Sequence, residues 1–396
     1  MARPNIKELK RQFELRRRTQ GIDGAEAFCR DVAEMLEAKT YKISDWELPE
    51  IAEQFLGEEV VRAMNPAKKS GNMGFAHLRE SSDAVSTAAF TNITGQLVFN
   101  MVKEAYETAP LLHMELCDTV KTTFLDGEKI PGIGPMGDNA EAIGEGREYP
   151  TVGLNEEYIQ TPATQKDGFI IPVTRESVIA DRTGILMERA GETGRWLAIN
   201  KEKKILDTAL GITNTYIRNG TSSNTFLTSG SYINDKTGNA LVDWTNIEQL
   251  ELLFDAITSP NTNEPIMVHP DTLIVPTALY WTACRIVRAT QVRFGDGASN
   301  STASYSEVPL SMGYRARTLK VLSSPYVKQR TSSTTKWFYG EPKKAFKYME
   351  VWGIENVQAP AMSYEDFHRD IVAQFKVGLR GTPAIVDPRY VVRSAA

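Results

Sequence analysis

The sequence is poor in the residues that hold metals or build redox and hydrolytic sites. Its three cysteines, Cys29, Cys117 and Cys284, are far apart and odd in number. No disulfide framework and no CxxC motif follows. The four histidines, His77, His113, His269 and His368, are equally scattered. GxSxG, HExxH and GxxxxGK[ST] are absent, so no nucleophile elbow, zinc-protease helix or phosphate-cradling loop is encoded. Asp271, Asp296 and the histidines have no ligand spacing; His269 and His368 read as structural residues. No catalytic, cofactor-binding or metal-binding residue is therefore expected, no cofactor, and no enzyme. No apolar run approaches the ~18 residues that span a bilayer, and no signal peptide opens the chain. The expectation is a soluble protein made in a reducing compartment, with no membrane partner.

What is present fits a globular chain of two or three domains. The 396 residues are 41% hydrophobic and 24% charged, with a net charge of -5. That balance argues against a dedicated DNA-binding protein, while leaving room for a local basic patch. One phosphate-site pattern does occur, Gly132-Ile-Gly134-Pro-Met-Gly137. A dinucleotide site needs a strand before it and a helix opening at it; Pro131 and Pro135 prevent a clean helix start, so the match is a decoy.

Residues 1–74 read as a helical segment: Asn5 to Gln20 with Ile6, Leu9 and Phe13 on one side, then Ala25 to Ala38, then Glu47 to Met64, closed by the turn-rich NPAKKSGNMG at 65–74. Met1 to Gln20 carries seven Lys or Arg against Glu8 and Glu14, a local balance of +5. Residues 75–116 read as an arm: Ser81 to Thr94 is small and polar without a clear period, and Gln96 to Thr108 is more helical.

Two stretches organise the rest. Leu116 to Leu125 alternates as a strand, and Glu157 to Val173 returns as a second one broken at Pro162. Between them, Asp126 to Gly153 holds seven glycines and three prolines in 28 residues. A connection of that length is unusual inside a compact domain, and a two-stranded ribbon is marginal alone in water. It should gain order by lying on something else, most simply another copy of the chain. The second stretch is a long rod, Gly184 to Leu210, preceded by a short helix at Arg175 to Ala180 that Thr174 can cap. Thr183 can cap the rod. At ~1.5 Å per residue the rod would be roughly 40 Å long. Trp196, Ile199, Leu206 and Leu210 share one face. Gly184, Gly191 and Gly194 cost helix propensity and allow another backbone to approach closely.

Beyond the rod, residues 211–240 read as a polar loop or hairpin. Thr245 can cap a helix bearing Ile247, Leu250, Phe254 and Ile257. A buried strand lies between Pro270 and Pro276, a helix starts near Pro276, and Phe294 to Ser306 is a Gly/Ser/Asn loop. Arg317–Ser323 and Lys336–Tyr339 read as strands. Ile371, Ala373, Phe375, Val377 and Leu379 alternate with their neighbours, a strand with one buried face, and Thr382 to Val391 reads as a last strand or extended tail.

This succession of outreaching ribbon, strand, short helix, broken turn and long helix, closed by the strand at Asp366–Val377, resembles the major capsid proteins of tailed phages of the Hong Kong 97 type. The resemblance covers roughly residues 110–396. It implies an α+β fold with an N-terminal helical segment (1–74), an arm (75–116), an extended ribbon or E-loop (117–164), a peripheral domain (165–237 and 336–396) built on the spine helix 184–210, and an axial domain (238–335). It also implies the function: a major capsid protein, made in the host cytoplasm and built into the virion, that self-assembles as hexamers and pentamers into the icosahedral head enclosing double-stranded DNA. Portal, scaffold or decoration proteins are further partners in such a family. The same fold serves encapsulin-like nanocompartments that enclose cargo protein; the N-terminal helices and basic start favour the virus. Many relatives lose an N-terminal scaffolding segment to a protease, and here retention is expected. Some relatives cross-link subunits through a loop lysine; Lys129 and Lys166 are the loop lysines here, and the sequence supplies no partner for either.

Charge indicates where copies would meet. Asp126 to Glu157 holds eight Asp or Glu against Lys129 and Arg147, a balance of -6. Candidate subunit contacts are Glu141 and Glu145 on this loop, facing Arg182, Arg189 or Arg195 of an adjacent copy. Candidate DNA-facing groups are Arg16, Arg17, Arg18, Lys201, Lys203 and Lys204, through contacts that would be independent of base sequence and sensitive to salt.

Overall fold

The computed structural model describes residues 6–37, 48–55, 83–133, 156–174, 185–214, 216–230, 232–259, 264–288, 291–295, 305–309, 319–358 and 371–395. In chain order, helices α1 (Ile6–Glu37), α2 (Leu48–Phe55), α3 (Asp83–Glu107) and α4 (His113–Leu116) lead into strands β1 (Asp118–Lys121), β2 (Lys129–Ile133), β3 (Glu156–Gln160) and β4 (Gln165–Thr174). The rod α5 (Ile185–Ala209) is followed by β5 (Tyr216–Arg218), β6 (Thr221–Ser223), β7 (Asp235–Thr237), α6 (Trp244–Ala256), β8 (Thr272–Val275) and α7 (Tyr280–Val287). The chain closes with β9 (Gln291–Gly295), β10 (Tyr305–Pro309), β11 (Lys320–Ser323), α8 (Pro325–Thr331), β12 (Trp337–Gly340), α9 (Pro342–Ala345), β13 (Phe346–Gln358), β14 (Ile371–Ile385) and β15 (Val391–Ala395). These elements form two compact units, each assembled from separated parts of the chain.

The first unit comprises residues 1–110, 166–200 and 352–380. Gly21, at φ 67° and ψ -135°, bends α1 where the sequence places a helix end. Ile6, Phe13, Phe28, Val32 and Leu36 of α1 are buried against Ile51 and Phe55 of α2 and Leu97 and Val102 of α3. The Phe13 ring meets Phe28 and Phe55 edge-on at 5.5 and 5.6 Å, an arrangement that aromatic quadrupoles favour. The same apolar cluster takes in Ile171 and Val173 of β4, Met187, Ala190 and Leu197 of the rod, and Phe375, Val377 and Leu379 of β14. The N-terminal helices are thus part of this unit's core. Asp83 to Thr94, expected as an arm or loop, belongs to α3. Its burial at Ile93, Thr94, Leu97, Val98, Val102 and Ala105 follows helical spacing, so packing overrides the weak propensity of a Ser/Thr-rich run.

The second unit comprises residues 111–165, 201–351 and 381–396. A mixed five-stranded sheet in the order β11-β8-β12-β15-β7 crosses it, with β11–β8 and β15–β7 parallel and the two pairs at β12 antiparallel. One apolar cluster, with Ile205, Leu206, Leu210, Phe226, Phe338 and Phe346, holds the rod's end. Another, with Leu250, Phe254, Leu273, Trp337 and Tyr339, holds α6. Helix α6 is capped by Asp243 rather than Thr245: the extended Asp243 accepts from the Thr245 N–H and closes a capping box with Asn246. Part of the expected loop 294–306 is a hairpin, β9 pairing antiparallel with β10. Near Pro276 the chain makes a 3-10 turn, Thr277–Leu279, before α7 begins.

Candidate assembly surface

The ribbon is anchored on its own chain. Strands β2 and β3 pair antiparallel from Lys129↔Gln160 to Ile133↔Glu156, and β3 then pairs with β5, giving a four-stranded sheet in the order β2-β3-β5-β6. The β5–β6 connection is the dipeptide Asn219-Gly220, both at positive φ (50° and 78°), the twist-matched two-residue turn that Asn-Gly favours. Asn219 holds β3 in place by donating its N–H to the Tyr158 carbonyl and accepting from the Tyr158 N–H, both at 2.9 Å. Arg218 pairs with Glu157 at 2.5 Å.

Threonines clasp the point where the ribbon leaves the unit. The Thr161 hydroxyl accepts from the Glu128 N–H at 2.8 Å, Thr122 donates to the Glu128 carboxylate at 2.7 Å, and the Thr164 N–H donates to the Leu125 carbonyl at 3.0 Å. Gly127 turns at φ 94°, and a Cβ there would lie 2.5 Å from the Thr161 carbonyl oxygen. The expectation of a ribbon supported mainly by a second copy is thus modified at the base, where residues 216–223 of the same chain supply two further strands. Glu141 and Glu145 lie outside the described residues, as do Arg182, the Thr183 cap and the short helix 175–180.

The rod is a continuous helix, and the expected face is packed only in part: Leu206 and Leu210 are buried, Ile199 is half-buried and Trp196 is 51% exposed. In the first unit the buried positions are Met187, Ala190, Gly191, Gly194, Leu197 and Ala198, which recur with the helical period. A Cβ on Gly194 would lie 2.3 Å from the Val102 carbonyl oxygen, whereas one on Gly191 would make ordinary contact with Met101 at 3.6 Å. Gly194 is therefore where α3 comes against the rod backbone. Arg189 and Arg195 are exposed on the rod, available to a neighbour.

In the second unit the rod presents polar groups inward. Lys201 is only 7% exposed; its ammonium sits 4.2 Å from the centre of the Tyr348 ring, and burial pulls its pKa below the ordinary lysine value. This corrects its assignment as a DNA-facing group, because a side chain enclosed by its own unit cannot offer charge to a polyanion. Glu202 is also buried, its carboxylate accepting the His113 N–H at 3.0 Å. The neighbouring Cys117 thiol is pushed up to about 12 by burial and is thus not a nucleophile at neutral pH. Lys203 lies over the Tyr326 ring at 5.3 Å, and Lys204 donates to Gln165 at 3.1 Å. Asp207 accepts two bonds of 2.5 Å from Arg330. Of the N-terminal trio, Arg16 pairs with Asp31 at 2.5 Å, while Arg17 is half-buried and Arg18 exposed. Among the described residues no group of three or more His, Cys, Asp or Glu side chains could hold a metal ion, and no helix is long and apolar enough to cross a membrane.

Several large apolar side chains of the second unit are exposed, among them Val242, Leu252, Met267 at 82% and Trp281 at 75%. Trp281 leans edge-on against Tyr280 at 5.4 Å. The four side chains come from the α6 cap, the outer face of α6, the approach to β8 and the start of α7.

Residues 157–394 match the family model described as phage capsid protein. The chain belongs to the phage capsid protein family. It is a component of a virion, and it assembles with its own copies into a shell, a structural role. No curated protein matches the capsid chain in sequence. Solved structures similar to it include one from Mycobacterium phage Bobi, with 13% identity over 72% of this chain and 90% of that one at a TM-score of 0.44. One from Gordonia phage Cozz has 14% identity over 72% and 85%, also at 0.44. The virus-like particle from Pyrococcus furiosus has 12% identity over 75% and 97%, at 0.41. Close backbone approach at the rod glycines and a loop or hairpin over 211–240 were read from the sequence; what it missed was that the Asn219-Gly220 turn supports the ribbon's base and that Ala190 and Ala198 share the packed face with those glycines.

Proposed function

We propose that the chain is the major capsid protein of a tailed virus, made in the host cytoplasm and closing as hexamers and pentamers into an icosahedral head around double-stranded DNA, without enzymatic activity of its own. The observation that carries this reading is the family match over residues 157–394. Within that frame residues 117–164 are the E-loop, 165–237 and 336–396 the peripheral domain, and 238–335 the axial domain. The exposed Val242, Leu252, Met267 and Trp281 fall in the axial segment. Aromatic side chains are over-represented at contacts between proteins. Heterologous contacts that close generate rings and shells. The acidic ribbon of one copy would lie over Arg189 and Arg195 of the next, and portal, scaffold or decoration proteins would join the finished head.

Replacing Trp281 with Glu tests the reading. The side chain is largely outside its own unit, so the subunit should fold with an unchanged far-ultraviolet spectrum and melting temperature, while particles vanish from negative-stain micrographs. Normal particles from this variant would remove the axial contact. Wild-type protein that stays monomeric at high concentration would remove the shell itself. Nuclease-protected duplex DNA inside native particles is the expected content; protein cargo in its place would convert the assignment to a nanocompartment.

A further inference from the structure

Helix α1 carries a row of cations that consecutive sequence numbers conceal. At 100° per residue, Lys7, Arg11 and Arg18 fall within about 40° of one another on the helix circumference. All three are exposed. Ile6 and Phe13, each 2% exposed, lie on the other side of the helix, where α1 joins its core. The row is therefore fixed by packing: the burial of the apolar face turns these three side chains outward together. At ~1.5 Å per residue the eleven steps from Lys7 to Arg18 cover roughly 16 Å. Lys10 and Arg17, both half-buried, flank the row. Acidic groups are fewer on this surface: Glu8, 3.7 Å from Arg11, and the exposed Glu14, which falls in the same arc between Arg11 and Arg18 and leaves the row with three cations to one carboxylate. Arg16, adjacent in sequence, is turned aside and paired with Asp31.

We infer that this stripe is a contact for the backbone of duplex DNA, an inference that rests on the capsid reading. A straight row of three cations about 16 Å long can meet two or three successive phosphates of one strand, whose spacing is several ångströms. A chain with net charge -5 otherwise repels a polyanion, so a local row on a fixed helix is what a sequence-independent contact requires. Each phosphate met releases counterions, so three contacts contribute about -2.7 to the slope of log affinity against log salt, which is roughly a 40-fold loss between 50 and 200 mM.

The test uses full-length unassembled subunits and a labelled mixed-sequence duplex, followed by fluorescence anisotropy across a salt series. The triple variant Lys7→Gln, Arg11→Gln, Arg18→Gln should lose that roughly 40-fold salt response. A control triple, Lys121→Gln, Arg288→Gln, Lys328→Gln, removes the same charge from other exposed positions and should retain it. Equal slopes in the two triples would overturn the inference. So would intact masses showing that subunits of DNA-filled heads lack residues 7–18. Loss of particles in the stripe triple with an unchanged DNA slope would assign the row to a neighbouring protein and overturn it equally. Particle formation by the wild type, scored by electron microscopy, is a separate measurement: its failure counts against the capsid assignment, while its success beside flat slopes counts only against the stripe.

Discussion

The two halves of the rod solve the same packing problem by opposite means. From Met187 to Ala198 its buried positions are Met187, Ala190, Gly191, Gly194, Leu197 and Ala198, four of the six alanine or glycine, and helix α3 comes so close at Gly194 that a single added carbon would collide with backbone. From Lys201 onward the inward groups are large: Ile205, Leu206 and Leu210 in an apolar cluster, with Lys201 and Glu202 enclosed beside them. Close backbone approach depends on shape and tolerates no growth. Side-chain interdigitation depends on volume and tolerates no loss. One continuous helix therefore contains two regions with opposite responses to the same kind of change.

Four substitutions sharpen or break that contrast, each read by urea unfolding of the full-length subunit. Leu206→Ala removes a fully buried side chain from the second half and should destabilise by about 3 kcal/mol through lost burial and the cavity left behind. A value near zero would mean that cluster is not close-packed. Gly194→Ala should cost about 2 kcal/mol, because overpacking against the Val102 carbonyl outweighs the gain in helix propensity. Stabilisation would show that α3 can retreat.

Lys201→Met keeps the volume and removes a buried charge, so it should stabilise by about 1 kcal/mol. Its pH signature has a definite sign. Burial lowers the folded-state pKa below the ordinary lysine value, so the unfolded chain holds more protons in the window between the two values. Wild-type stability should therefore gain an increment as pH rises through that window, and Lys201→Met should lose it. An identical alkaline profile in both proteins would refute the enclosed charge. The smallest effect is expected at Gly191→Ala, where the new methyl finds ordinary contact at 3.6 Å; helix propensity should then stabilise by about 0.5–1 kcal/mol. Gly191 and Gly194 would thus respond to one substitution with opposite signs.

Much of the element order was legible before the structure. The break read between Gln20 and Ala25 is the bend at Gly21 in α1, Pro162 separated β3 from β4, and the period of two at Ile371–Leu379 named the buried face of β14. The rod's extent was legible within a residue at each end. Its orientation was legible only toward the end, at Leu206 and Leu210. Trp196 and Ile199 weigh heavily in any hydrophobic count, yet in the first unit Ala190, Gly191, Gly194 and Ala198 pack beside Met187 and Leu197, and the value of the small ones lies in how near a neighbour can come. The charged candidates divided in the same way. Arg189 and Arg195 stand exposed, while Lys201 is enclosed and Arg16 is paired, since neighbours in sequence point in directions 100° apart around a helix.

Sequence by itself determined that this chain would form a long helix following a glycine-rich, acidic ribbon, and that its order of elements was that of a phage capsid protein. These are properties of local propensity, periodicity and residue chemistry, all carried by neighbours along the chain. Tertiary structure alone decided which side of the rod is buried, which cations remain available at the surface, and that the ribbon's base is completed by residues 216–223 of the same molecule. Those outcomes depend on contacts between residues tens to hundreds of positions apart, and a periodicity read along one helix or strand holds no information about what will lie across from it.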